Sequence, residues 1–203
     1  MPIGLLCAVF LAKFCPKHLY KFLKPAVDLL AGIPSIVYGF FGLVVIVPAM
    51  QNIFGGSGKS VLTASVMLGI MILPTIISIS EAAIRAVPES YYEGALALGA
   101  THERSTFKAT LPAAKSGITA GVILGIGRAI GEAMAVNMVA GNQAVIPTSI
   151  FSGVRTLTSN IVLEMGYATD LHREALIATS VVLFVFILII NLLFSLVKKE
   201  NKK

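Results

Sequence analysis

Four stretches of this chain are long and apolar enough to cross a lipid bilayer, and they constrain everything else about it. A helix needs about 20 apolar residues to span the roughly 30 Å hydrocarbon layer. Residues 26–50, 61–80, 113–140 and 175–197 reach that length, and the second and fourth contain no charged residue. A fifth apolar run, residues 2–12, covers only some 17 Å as a helix at about 1.5 Å per residue. Composition points the same way: 13% of the 203 residues are charged and 56% are hydrophobic, whereas soluble domains run near a quarter charged. A water-soluble fold of this size leaves too large a share of its surface exposed to hide that apolar content. The runs predict an all-α, polytopic membrane helix bundle, one transmembrane domain over 1–203 with about four full spans and a partial first span.

The net charge is +6, and its placement decides between a nucleic-acid surface and basic loops that orient the spans. Lys13, Lys17, Lys21 and Lys24 follow the first run, and Arg85, Arg104, Lys108 and Lys115 mark the connection between the second and third full spans. Lys198, Lys199, Lys202 and Lys203 form the tail. Alternating spans put all of these on one side and leave Lys59, Arg155 and Arg173 on the other. That is the positive-inside pattern, so the tail and both basic connections are expected in the cytoplasm of a multi-pass plasma-membrane protein. No nucleic-acid partner is needed to explain the charge.

This orientation would start the chain partway through the bilayer, where unpaired backbone donors are costly. Residues 1–24, a partial span plus a basic cytoplasmic connection, therefore either lie flat as an amphipathic segment or belong to the later part of a longer protein. No basic leader precedes the run, which argues against a cleaved signal peptide. Gly32, Pro34, Gly39 and Gly42 interrupt the first full span and Pro74 the second. Proline kinks a helix and frees a carbonyl, so these breaks suit a moving bundle better than a passive anchor.

Residues 81–112 form a cytoplasmic loop with its own helix signals. Pro88 and Glu89 read as a helix start, Gly99 as its stop, and Thr101 as the cap of a second short helix with Glu103 in its first turn. Ala95, Leu96, Ala97 and Leu98 are apolar for a hydrated loop and suggest a docking surface. In the third span, Arg128 and Glu132 stand one helical turn apart, able to pair, with Asn137 beyond. A charge near the membrane centre costs at least about 2.5 kcal/mol, so it faces a partner or a wet path. The two readings are an internal ion pair that fixes packing and an anion path, in which a planar guanidinium matches the oxygens of an oxyanion. Gly117, Gly121 and Gly125, with Gly127 and Gly131, keep a four-residue spacing that lets helix backbones approach. The outer connection, 141–173, carries an expected amphipathic helix over 148–165, with Ile150, Val154, Leu157 and Ile161 on one face.

Other signals fail on inspection. The run 55–60 resembles a nucleotide loop, but Ile53 occupies its first glycine position and no strand precedes it. Gly125 and Gly127 are followed by glycine one residue late for a dinucleotide fingerprint. His18, His102 and His172 have no metal-ligand spacing, and Cys7 and Cys15 make neither a disulfide framework nor a metal site. No catalytic residue, metal or cofactor is expected in this chain.

Glu93-Gly94-Ala95, Gly99 after three residues and Leu111-Pro112 after eleven more resemble the EAA loop of ABC importer permeases, with Gly94 in place of alanine and Ala109 in place of isoleucine. The runs 32–42 and 127–132 are similar to those of the phosphate importer permeases, and 133–136 with Gly141-Asn142 resemble the PstC-type member more than its PstA-type partner. The resemblance covers essentially the whole chain. It implies the type I importer permease (MetI-like) fold and a docking role for Glu93, Gly94, Ala95, Gly99, Leu111 and Pro112. It also implies a translocation role for Arg128 and Glu132, with Asn137 beside them on the path. The partners it implies are an ATP-binding cassette ATPase dimer that holds ATP and Mg, a homologous PstA-like permease and an external phosphate-binding protein. Members of the family usually have six spans, so the missing first spans point to a truncated product, a misplaced start or a fragment. Sulfate, molybdate or phosphonate could replace phosphate as substrate.

Overall fold

The computed structural model describes residues 1–200, with side chains through Phe194. The basic tail expected at Lys198, Lys199, Lys202 and Lys203 lies outside those described side chains. Helix α1, Pro2–Val9, begins with proline in its first turn, where no backbone donor is lost, and continues as a π-helical turn over Phe10–Phe14. It stops at Cys15, which is extended because Pro16 follows. Helix α2, Lys17–Gly32, is amphipathic and carries Pro25 within it. Pro34 then ends it by the same clash with the preceding residue.

The first full span is consequently shifted. Residues expected at 26–32 of a span belong to α2, and the spanning helix is Ser35–Phe54. It comprises α3 (Ser35–Phe41), a π-helical turn over Gly42–Ile46, and α4 (Val47–Phe54). Gly55, at φ 77°, stops it. Helix α5, Val61–Arg85, accommodates Pro74 within its length. After it come α6 (Glu89–Ala97), α7 (His102–Ser105), a π-helical turn over Thr106–Thr110, α8 (Leu111–Ala113) and α9 (Lys115–Ile130). The path His102–Ala113 bends by 68° into Lys115–Ile130. The chain closes with α10 (Met134–Val139), α11 (Leu157–Glu164) and α12 (Asp170–Glu200).

Two further expectations are corrected. The run 113–140 is not one helix: α9 ends at Ile130 and α10 begins only at Met134. The outer helix is α11 alone, not 148–165, because Thr156 caps it, its hydroxyl accepting the Ser159 N–H at 3.2 Å. Among the described residues three helices are long and apolar enough to cross a membrane, and four if the bent pair counts as one.

The chain divides into two compact units. The first holds, among the described residues, 1–32, 72–126 and 194–200. Ala8, Val9, Ile84 and Ala114 form its buried core, with Leu5, Ala12, Phe14, Val87, Leu111 and Ile118 packed against them. Its helices α5 and α9 meet along a glycine seam. A Cβ at Gly117 would lie 2.5 Å from that of Ala83, one at Gly121 3.0 Å from Ile79, and one at Gly125 2.9 Å from Ile76. Removing the β-carbon at each turn is what lets the backbones approach.

The second unit holds 33–71 and 127–193. Here α3 and α10 pack so closely that a Cβ at Gly39 would fall 2.8 Å from the Ala135 Cα. The start of α5 has four donors without intrahelical partners. The N–H of Ser60 donates to Val139, that of Val61 to Ser152, and that of Leu62 to Ile150, at 3.2, 3.0 and 2.9 Å. The segment 150–152 is therefore tied to a helix end, which explains why the expected helix does not extend back over it.

Candidate functional site

The loop following α5 folds into a braced helical hairpin. Pro88 enters α6 with Glu89 in the first turn, where the positive helix end favours an acid. Gly99 leaves at φ 83°. Its N–H donates to Leu96 at 2.8 Å and the Ala100 N–H to Ala95 at 3.1 Å, a Schellman pair that satisfies the last carbonyls. The Thr101 hydroxyl then accepts the Arg104 N–H at 3.3 Å and opens α7. Across the hairpin the Tyr92 hydroxyl bonds to Nδ1 of His102, and the Phe14 ring sits edge-on to His102 at 4.6 Å. Glu93, Gly94 and Gly99 are exposed, and Leu98 is 91% exposed at the tip. Beside it a groove of about 390 Å³ is lined by Ala95, Leu98, Gly99, Ala100, Arg104 and Lys108. Leu111 packs onto the buried core while Pro112 is exposed.

At the base of this hairpin lies a charge cluster that the sequence reading missed. Glu81, 2% exposed near the end of α5, accepts from the Tyr20 hydroxyl at 3.0 Å, meets Lys24 at 3.4 Å and pairs with Arg85. Lys24 also bonds Ser78 at 3.1 Å and Asp28 at 3.0 Å, and the Ser78 hydroxyl donates to Asp28 at 2.6 Å. On α2 the titrations follow from this packing. Burial, then the bond to Glu81, pushes the Tyr20 phenol up. Burial opposes the charge of Lys24, but Asp28 and Glu81 outweigh it and raise its ammonium. The Ser78 hydroxyl, then Lys24, holds Asp28 below the usual carboxylate range. The i,i+4 spacing of Glu81 and Arg85 at the edge of an apolar run was the available signal.

In the second unit the polar residues of the expected third span gather at the helix break. Arg128 lies in the last turn of α9, whereas Glu132 lies beyond its end, so the two do not stand one turn apart on a continuous helix. The Glu132 carboxylate instead accepts the Ala135 N–H at 3.1 Å and caps α10. Its main-chain carbonyl accepts the Thr158 hydroxyl at 3.1 Å. Asn137 receives the Asn142 amide on both its side-chain and main-chain oxygens, at 2.7 and 2.8 Å. Asn142 adopts φ 53°, a left-handed conformation that asparagine tolerates better than most residues. Arg155 donates to the Asn142 carbonyl at 3.1 Å and to Glu164 at 2.7 Å. Arg128, Glu132 and Asn137 are all half-buried. Of the glycines, Gly127 has open space where a Cβ would stand, and Gly131 lies in the break, where its N–H donates to the Gly127 carbonyl at 3.3 Å. Among the described residues no group of histidine, cysteine and carboxylate side chains could hold a metal ion.

An all-helical chain with a helix–glycine–helix loop, a bent transmembrane pair and a broken polar helix has the MetI-like ABC permease architecture. It belongs to the family of binding-protein-dependent transport system inner membrane components, whose pattern matches residues 1–203. Over 201 residues it is 43% identical to the probable ABC transporter permease protein YqgH of Bacillus subtilis, covering 96% of this chain and 65% of that one. It is 37% identical over 211 residues to the phosphate transport system permease protein PstC of Mesorhizobium japonicum, covering 94% and 64%. The PstC of Pasteurella multocida is 33% identical over 228 residues, covering 100% and 71%. The chain thus spans about two thirds of the length of these relatives. Among solved structures, a chain of the MetNI methionine ABC transporter in inward-facing conformations superposes with a TM-score of 0.77 at 22% identity, covering 99% of this chain and 87% of that one. This likeness is one of fold.

Proposed function

We propose that this chain is a transmembrane permease subunit of an ATP-driven importer for inorganic phosphate. The observation that carries the reading is the exposed helix–Gly99–helix hairpin, closed at its turn by the Gly99 and Thr101 caps and apolar at its tip. Isolated helices this short are marginal in water, so a braced, protruding pair with an exposed leucine suits a partner's cleft. In this reading Glu93, Gly94, Ala95 and Gly99 face the ATPase, while Leu111 and Pro112 join the hairpin to the bundle. The ATPase dimer binds ATP and Mg, a PstA-like subunit completes the bundle, and an external phosphate-binding protein delivers substrate. The loop and the C-terminus lie in the cytoplasm.

Phosphate as substrate is supported by the PstC relatives, which are permeases of phosphate transport systems, and by the polar break. Arg128 offers planar donors suited to tetrahedral oxyanions. Glu132, anchored as a helix cap, and Asn137 place an acid and an amide on the same path, which limits trapping of the anion. Closure of the ATPase pair would displace α6, and the bundle would alternate access to the path beside Arg128.

The test is phosphate uptake by the complete complex in vesicles, with sulfate, molybdate and phosphonate as competitors. Arg128→Lys is expected to lower uptake strongly, and Glu93→Ala to lower uptake while ATP hydrolysis continues. Normal uptake in Arg128→Lys would refute the bidentate role. Competition by another oxyanion at lower concentration than phosphate would reassign the substrate.

A further inference from the structure

The Glu81 cluster has no place in the path or the docking surface, yet it gathers three elements of the first unit around one buried carboxylate. Glu81 Oε1 takes the Tyr20 hydroxyl and Arg85, and Oε2 faces Lys24 at 3.4 Å, so α2 is fixed to α5. Arg85 extends the cluster: its guanidinium lies 4.2 Å from the centre of the Tyr20 ring, and Nη2 donates to the Leu11 carbonyl at 2.9 Å. Leu11 belongs to the π-helical turn Phe10–Phe14, whose far end touches the loop hairpin. There Lys13 stands 4.0 Å from Glu89 and 5.0 Å from the centre of the Tyr92 ring, and Phe14 packs on His102. The turn is therefore gripped by α5 at Leu11 and by the hairpin at Lys13 and Phe14. A carboxylate this buried is retained only where partners offset its desolvation, and removing it takes a shared partner from two cations at once, leaving Lys24 with Asp28 and Arg85 with the Leu11 carbonyl.

We propose that Glu81 is a positioning residue that locks α2 and the turn 10–14 onto the end of α5, so that displacement of α6 reaches α5 instead of being absorbed by the N-terminal helices. Without the lock, α6 still engages its partner, but its motion is spent in relative sliding of α2 and the turn. The signature is uncoupling: hydrolysis continues while transport per ATP falls. This rests on the importer reading proposed above.

The experiment compares phosphate taken up per ATP hydrolysed by the assembled complex, using the full-length chain as wild type, Glu81→Gln, Lys24→Met, and the last two combined. Glu81→Gln is expected to lower the ratio at least about fivefold, the low end of typical coupling between sites. ATPase rate and the amount of assembled complex stay within about twofold of wild type, a smaller change than any such coupling. Because Lys24 acts through the same carboxylate, the combined variant is expected to be no worse than Glu81→Gln alone. A wild-type ratio in Glu81→Gln, or losses that multiply, would overturn the proposal. If Glu81→Gln does not assemble, Tyr20→Phe with Lys24→Met loosens the lock from its exposed side, and a wild-type ratio there overturns it equally. Hydrogen exchange separates this idea from the importer reading. Faster exchange over 17–32 in Glu81→Gln supports the lock even in a complex that moves no phosphate, and unchanged exchange rejects it.

Discussion

The Thr158 hydroxyl donates to the main-chain carbonyl of Glu132 at 3.1 Å, so a side chain of α11 helps to hold the break between α9 and α10. The Glu132 carboxylate faces the other way and caps Ala135. Thr158→Val keeps the shape and removes the donor, leaving a half-buried carbonyl to find another partner. The expected cost is about 1 kcal/mol, with faster hydrogen exchange at 131–136. Thr158→Ser is expected to restore protection.

The glycine seam separates two otherwise similar substitutions. Gly117→Ala would put a methyl group 2.5 Å from the Ala83 Cβ, which is rigid. A loss of about 1–3 kcal/mol is expected, typical of overpacking. Gly127→Ala meets nothing within 4 Å and is expected to leave the unfolding temperature of the purified chain unchanged or slightly raised.

The hairpin depends on the two caps at its turn. Gly99→Ala forces an L-residue into φ 83°, at a cost of roughly 1–2 kcal/mol. Thr101→Ala removes the α7 cap, at about 1 kcal/mol. Both are expected to raise exchange over 96–105 and to leave exchange of α3 and α10 as in wild type. Protection unchanged over 96–105 in both variants would show that the Tyr92–His102 brace alone holds the hairpin.

Glu164 gives the segment around α11 an acid limit. The Tyr167 hydroxyl, then Arg155, holds its carboxyl below the ordinary value of 4.5. A depressed folded value means the contribution is complete above that ordinary value and is lost as pH falls through the lower, folded one. Exchange over 155–168 is expected to rise on acidification in wild type. In Glu164→Gln that step should vanish; a step of the same size there would place its origin elsewhere.

Much of the fold was legible because its signals are local. Pro34 and Gly99 end helices through their own backbone geometry, and Thr101 caps through its own hydroxyl, so each can be read where it stands. The break at 131–133 was not legible, because hydropathy is averaged over a window and three residues scarcely change it. Its cause is a cap and a long-range bond, Glu132 to Ala135 and Thr158 to Glu132. The periodicity over 148–165 misled for a related reason: Ile150 and Ser152 lend their carbonyls to the start of α5 and cannot also serve a helix. Glu81 looked like the first residue of a loop because its partner Tyr20 is 61 positions earlier. The candidate site divided in the same way, with the hairpin readable from its spacing and the surroundings of Glu132 dependent on the folded chain.

The close approach of α5 and α9 has a consequence for where an ion can travel. Backbones that leave no room for a methyl group between the buried Gly121 and Ile79, or between the buried Gly125 and Ile76, leave none for water either. That side of α9 is a dry wall over about one turn, and on the importer reading proposed above a hydrated anion would keep to the opposite side of the helix.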